Sequence, residues 1–245
     1  GIRGSGITVG VGDSGVDTKS CFFEDTTVAV PFNAIDTAAR KIVQYIPFGD
    51  EVDTEEGHGT HVVGTIAGSS NTGVNTRYDG VAPDAKIAFY DFAGVTPQGE
   101  ETFNTPDDLS TLFDAAWQAD GHIHSNSWGC SKDRLDPHHM CNVYDSSAYY
   151  VDQWMREHDQ SLIVIANGND GDYTYGSVGS PATAKNAVSV GALSNSATSF
   201  QEGGQANYAQ TRYSEHTMAS FSSPGPTTDR SEERRVGKEC RSRWS

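Results

Sequence analysis

The stretch that decides the fold is "EEGHGTHVVGTIAG", residues 55–68. His58 stands between Gly57 and Gly59, and the residues after it read as a small-residue helix. Val62, Val63, Ile66 and Ala67 give its apolar side, with Gly64 and Gly68 permitting tight packing. A histidine at a helix start has its ring held while staying accessible, and its glycine neighbours let another chain or a substrate approach closely. Two rival readings apply: a structural histidine with satisfied nitrogens, and a metal ligand. Zinc is disfavoured, because His58 and His61 are three apart whereas a zincin helix needs HExxH.

Outward from this helix, short apolar runs alternate with helical patterns, the signal for parallel strands joined by crossover helices. Strands are predicted at 7–12 (ITVGVG), 27–30 (TVAV), 86–92 (KIAFYDF), 122–127 (HIHSNS), 161–166 (SLIVIA) and 187–192 (AVSVGA). Most lack polar alternation, as expected of strands covered on both faces. One helix is predicted behind Thr105-Pro106-Asp107-Asp108, with Thr105 as cap and Leu109, Leu112, Phe113 and Ala116 on one face. A second, near 145–158, carries Ala148, Val151 and Met155 after Asp145 and Ser146. There is neither an internal repeat nor a linker before residue 229, so a single domain is expected up to that point.

Three strand ends carry chemistry. In "VGVGDSGVD" (9–17), Asp13 follows a strand where open α/β sheets place their sites, although Asp-Ser-Gly also serves as a plain turn. In "IVIANGNDGD" (163–172), an apolar strand runs into a turn whose asparagine amides can donate to a developing oxyanion. A plain turn or a weak calcium loop is the alternative there. In "HSNSWGC" (124–130), Ser127, Trp128 and Gly129 offer backbone groups to an extended ligand, or simply end a strand. The order matters more than any one of them. An Asp at a strand end, a glycine-framed His and a strand-end Asn make most of a Ser-His-Asp acyl-transfer site.

Charge and cysteine set the bounds. The 245 residues carry a net charge of -16, and no apolar run approaches a membrane span of about 20 residues. Residues 230–245 hold six basic and three acidic groups, which leaves the first 229 at -19. Such a surface repels phosphate backbones, so nucleic acid is not an expected partner. Of Cys21, Cys130, Cys141 and Cys240, the pair Cys130 and Cys141 can close a short loop disulfide in a secreted protein. His138 and His139 between them raise a zinc reading, disfavoured for want of a paired CxxC knuckle.

Taken in order, "DSGVD", "HGTHVVGTIAG", "SNSWG", "ANGNDG", "SPATAKNAVSVGA" and "MASFSSPGPT" resemble the motifs of subtilisin-like serine proteases over nearly all of residues 4–229. The run from "IHSNSWG" to "KNAVSVGA" is most similar to the KP-43-like branch of that family. The resemblance implies a three-layer αβα sandwich around a mostly parallel sheet, incomplete at the C-terminus, and hydrolysis of peptide bonds in proteins. By motif match, Asp13 orients the imidazole, His58 is general base and then acid, and Asn169 is the oxyanion donor. Ser127, Trp128 and Gly129, with Ala166, Asn167 and Gly168, would bind the substrate residue before the scissile bond. Asn167 stands where the family usually has alanine, and Pro224 where arginine is common. The resemblance also implies residence outside the cell and a monomer acting on protein or peptide substrates. No cofactor is required. Calcium is frequent in the family, but no loop here matches a site residue by residue, so none is assigned.

One part is missing from this pattern. The family's serine sits in a Gly-Thr-Ser-Met-Ala setting beyond "SFSSPGPT", and no such stretch occurs in the 245 residues. "EHTMASFSS" (215–223) imitates it through Thr217, Met218 and Ala219, but precedes "FSSPGP" and lacks Gly-Thr-Ser. Residues 230–245, "RSEERRVGKECRSRWS", resemble a translated sequencing adapter and are expected to be a non-native, disordered tail. The expectation is therefore a partial catalytic domain over 1–229, inactive for want of its nucleophile. A non-catalytic, peptide-binding subtilase-like module is the alternative, and a zinc hydrolase using His58 and His61 a weaker third.

Overall fold

A computed structural model describes residues 1–70, 76–131, 140–173, 175–194 and 218–229. The tail with Cys240, the pair His138 and His139, and Thr217 lie outside the described residues. The strands are β1 (Thr8–Asp13), β2 (Ile42–Pro47), β3 (Lys86–Asp91), β4 (Ala93–Val95), β5 (Glu101–Phe103), β6 (Gly121–Asn126), β7 (Leu162–Ala166) and β8 (Val188–Val190). Six of them form one sheet in the order β2-β3-β1-β6-β7-β8, while β4 and β5 make a separate antiparallel pair. β1 pairs in parallel with β3 on one side and β6 on the other, and β2 with β3. The helices are α1 (His58–Ala67), α2 (Ser110–Gln118) and α3 (Ser146–Glu157). Two compact units result, Gly1–Ser127 with Tyr150–Val164, and Trp128–Tyr149 with Ile165–Ser245. The divisions fall just after β6, inside α3 and inside β7.

In the first unit the sheet is covered on both faces. Val9 and Val11 of β1 and Ile87 and Phe89 of β3 pack with Val63 and Ala67 of α1 and with Tyr45. On the opposite face lies α2, whose Leu112, Phe113 and Ala116 are buried. The glycines of β1 explain how closely α2 approaches. A Cβ on Gly10 would lie 2.6 Å from that of Ala116, and one on Gly12 would lie 2.8 Å from Leu112 Cδ1. Full burial of a side chain such as Leu112 is worth roughly 1.5–3 kcal/mol, so α2 is held by its apolar stripe. Phe113 meets the Trp154 ring at 5.4 Å, tying the C-terminal part of α3 to α2.

Several sequence expectations require correction. No strand forms at 27–30, because the Asp25 carboxylate accepts the Thr27 and Val28 amides and the Thr27 hydroxyl, a local turn that competes with a ladder. The edge strand is instead β2, where Gln44 and Pro47 disguise an otherwise buried run. Helix α2 begins at Ser110 rather than behind Thr105, and the Asp108 carboxylate accepts the Ser110 amide at 2.9 Å. In α3 the buried face runs Ala148, Val151 and Trp154, with Met155 only partly covered. Asp145 does cap that helix, accepting the Ala148 amide at 3.1 Å. In the second unit Cys130 and Cys141 are disulfide-bonded with Cα atoms 5.3 Å apart, and the backbones of both cysteines bond to that of Ser180.

Candidate active site

The first unit brings Asp13 and His58 into contact. Asp13 ends β1 and is fully buried, and its Oδ1 lies 2.6 Å from His58 Nδ1. An ionised carboxylate can only accept, so the contact favours the tautomer in which Nδ1 carries the proton and Nε2 the lone pair. The Ser14 amide donates to the same Oδ1 at 2.8 Å, giving the buried charge a second partner. The His58 side chain is 48% exposed, so the ring is held from within and open from without. The glycine frame admits a neighbouring stretch of chain at Gly59. A Cβ on Gly59 would lie 2.1 Å from the Gly15 carbonyl oxygen, so the chain that approaches is the protein's own Asp13–Gly15 turn.

A residue that the sequence reading passed over stands beside this pair. Asp91 is directly opposite Asp13 in the β1–β3 register and is also fully buried. Burial pushes its carboxyl up to about 8, even though the Tyr45 hydroxyl donates to it at 2.6 Å. Burial, followed by the neighbouring Asp91, likewise raises the Tyr45 hydroxyl. Burial thus disfavours a second ionised carboxylate in the strand beside Asp13. An acid ending the apolar run "KIAFYD" was the available signal.

In the second unit, β7 ends at Ala166 and the chain turns through Asn167, Gly168 and Asn169. The turn is braced by Ser223, which is fully buried. Its amide donates to the Gly168 carbonyl at 3.0 Å, and its hydroxyl accepts the Asp170 amide at 2.9 Å. Those bonds grip the backbone on either side of Asn169, whose side chain is exposed. Asn167 donates its amide to Val190 and accepts from Gly179, while its Oδ1 is buried with no hydrogen-bond partner among the described residues. Ser127 and Trp128 are half-buried after β6, and Gly129 is exposed beside the Ser180 carbonyl. Sequence reasoning missed Ser223, although its motif "SFSSPGP" was on view.

The zinc readings gain no geometry. His61 faces a separate cavity of about 410 Å³ with Phe22, Tyr78 and Asp79, while His58 is engaged by Asp13. Among the described residues no three His, Cys, Asp or Glu side chains converge, and no calcium site is assigned.

A mostly parallel α/β sheet thus carries, at the end of β1, a buried carboxylate in contact with the histidine that opens α1. Comparison with known proteins identifies the family. The family model described as "Subtilase family" matches residues 4–236, and the chain belongs to that family of serine proteases. The "Serine protease/ABC transporter B family protein tagB" of Dictyostelium discoideum is 35% identical over 193 residues, 78% of this chain and 10% of that protein. The "Minor extracellular protease Vpr" of Bacillus subtilis is 30% identical over 197 residues, 78% of this chain and 21% of its own. Thus the chain spans only a fraction of the length of these relatives. Among solved structures, the protease domain of PatA superposes with a TM-score of 0.57 at 20% identity, over 92% of this chain and 65% of that one. The subtilisin-like protease Apa1 from Pseudoalteromonas sp. AS-11 gives 0.51 at 20% identity, covering 77% and 36%. These likenesses concern the fold.

Proposed function

We infer that the chain supplies the acid, the base and the oxyanion donor of a secreted serine endopeptidase, and that it lacks the nucleophile. The observation that carries this reading is the 2.6 Å contact between buried Asp13 and exposed His58. In the reaction, a serine Oγ attacks the peptide carbonyl carbon while its proton passes to His58 Nε2. The resulting imidazolium is stabilised by Asp13, and Asn169 donates to the oxyanion. His58 then returns the proton to the leaving amine, and water repeats the sequence to release the acyl group. Ser127–Gly129 and Ala166–Gly168 bind the residue before the scissile bond, and Asn167 adds a polar wall. Substrates are proteins or peptides, and the functional form is a monomer. The Cys130–Cys141 disulfide suits an oxidising compartment outside the cell. We read residues 230–245 as a non-native tail, although the family match extends to residue 236, and the family pattern nearest to the domain as the KP-43-like branch.

No Gly-Thr-Ser-Met-Ala stretch is present, so the 245-residue chain is expected neither to turn over a chromogenic peptide nor to react with a fluorophosphonate probe. A chain extended to include a Gly-Thr-Ser-Met-Ala segment is expected to do both. Labelling of the 245-residue chain would contradict the missing nucleophile. An extended chain that contains the serine, folds and stays inert would contradict the protease reading.

A further inference from the structure

Helix α1 presents a problem at its N-terminus. Its N-cap residue is Gly57, in the left-handed region at φ 84°, and no side chain from the helix itself caps the first turn. An uncapped first turn leaves backbone amides unsatisfied and lets the end fray, which is serious when the first helical residue is His58. The amides are satisfied from elsewhere in the chain. The Gly59 amide donates to Ser14 Oγ at 3.0 Å, and the Thr60 amide donates to Asp53 Oδ2 at 2.9 Å. These two acceptors are themselves joined, because Ser14 Oγ donates to Asp53 Oδ1 at 3.0 Å. Ser14 is fully buried and Asp53 half-buried, so the bonds are sheltered from competing water.

Ser14 is also the residue after Asp13. Its amide holds Asp13 Oδ1, and its carbonyl accepts the Thr54 amide at 2.9 Å, fixing the loop that carries Asp53. The Asp17 amide adds a bond to Thr60 Oγ1 at 2.7 Å. One residue therefore grips the carboxylate with its backbone and the histidine's helix with its side chain.

We propose that Ser14 and Asp53 are positioning residues for the acid–base pair, a helix cap supplied in trans that sets the Asp13–His58 distance. The proposal rests on the reading of Asp13 and His58 as that pair. Their chemistry suits the task. A hydroxyl both accepts from Gly59 and donates to Asp53, and the Asp53 carboxylate spans Ser14 and Thr60 with its two oxygens. A negative charge at a helix N-terminus is also favourable.

The test uses proton NMR on the 245-residue chain, following the His58 Nδ1 proton and its exchange with solvent. In the unaltered chain a low-field signal is expected, and Asp13→Asn should abolish it. With Ser14→Ala the signal should remain but exchange roughly tenfold faster, as the loss of one sheltered hydrogen bond implies. Ser14→Thr, which keeps the hydroxyl, should restore the slow rate. Asp53→Asn should give an intermediate rate, and it carries the test if Ser14→Ala does not fold. A merely structural cap would lower the unfolding temperature of these variants without altering the Nδ1 proton. That result, alongside an Asp13-dependent signal, would overturn the proposal. A signal indifferent to Asp13→Asn would instead overturn the acid–base reading itself.

Discussion

The two strand ends that matter are built by different means. At the end of β1 the chemistry lies in a side-chain contact, Asp13 on His58; the Ser14 backbone amide holds the carboxylate, and the Ser14 hydroxyl and Asp53 carboxylate hold the histidine's helix. At the end of β7 the candidate donor is the exposed amide of Asn169, and the turn is held through Ser223, whose backbone amide donates to Gly168 and whose hydroxyl accepts the Asp170 amide. A proton-transferring pair must be fixed to a few tenths of an ångström relative to its own partner. An oxyanion donor must be fixed relative to a transient atom, which a rigid turn achieves without any side-chain partner. The first arrangement should therefore be sensitive to polar substitutions, and the second to changes in one buried serine.

The largest expected effect is at Asp13. In an extended, active chain, Asp13→Asn should lower kcat by about 10⁴-fold, the size known for serine-protease triads generally, subtilisin's fold included. A loss of tenfold or less, measured by steady-state hydrolysis, would break the comparison at its stronger end. Next comes acid stability. His124 is fully buried against Phe113, and burial pushes its imidazole down to about 3. The unfolded chain then binds more protons than the folded one between about 3 and the ordinary histidine value of 6.5. Stability should fall as pH drops through that window, and His124→Phe should flatten the acid limb of a Tm-versus-pH curve. An unchanged limb would show that His124 is not its source.

Smaller effects separate the two strand ends more finely. Gly59→Ala drives a Cβ into the Gly15 carbonyl, and overpacking of that kind costs about 1–3 kcal/mol. Thermal unfolding should register it, with the Asp13–His58 contact disturbed as well. Ser223→Ala removes the hydroxyl that accepts the Asp170 amide, a loss of about 1 kcal/mol. In an active chain that variant should reduce kcat with little change in KM, and it should leave the His58 ring signals where they are. Movement of those signals would mean that the two strand ends are not independently built.

Much of this was legible in the sequence because it repeats at a fixed period or sits in a dense motif. The strands β1, β3 and β7 are short, largely apolar runs, and His58 announces itself between glycines. What escaped depends on partners distant in the chain. β2 hides behind Gln44 and Pro47, and it forms by pairing with β3, far along the chain. Asp91 gains meaning from its register with Asp13, 78 positions away, and Ser223 from a turn more than fifty residues earlier. The cap of α1 was equally invisible, since Ser14 and Asp53 belong to other loops. Local turn chemistry misled as well, for Asp25 dissolves the strand that "TVAV" suggests.

The central claim is that His58 is a base oriented by Asp13. Nitrogen-15 NMR of the histidine rings in the 245-residue chain, at a pH where they are neutral, tests it most directly. His58 should be the tautomer protonated on Nδ1, with Nε2 unprotonated, and Asp13→Asn should remove this preference. A ring protonated on Nε2, or one unaffected by Asp13→Asn, would contradict it.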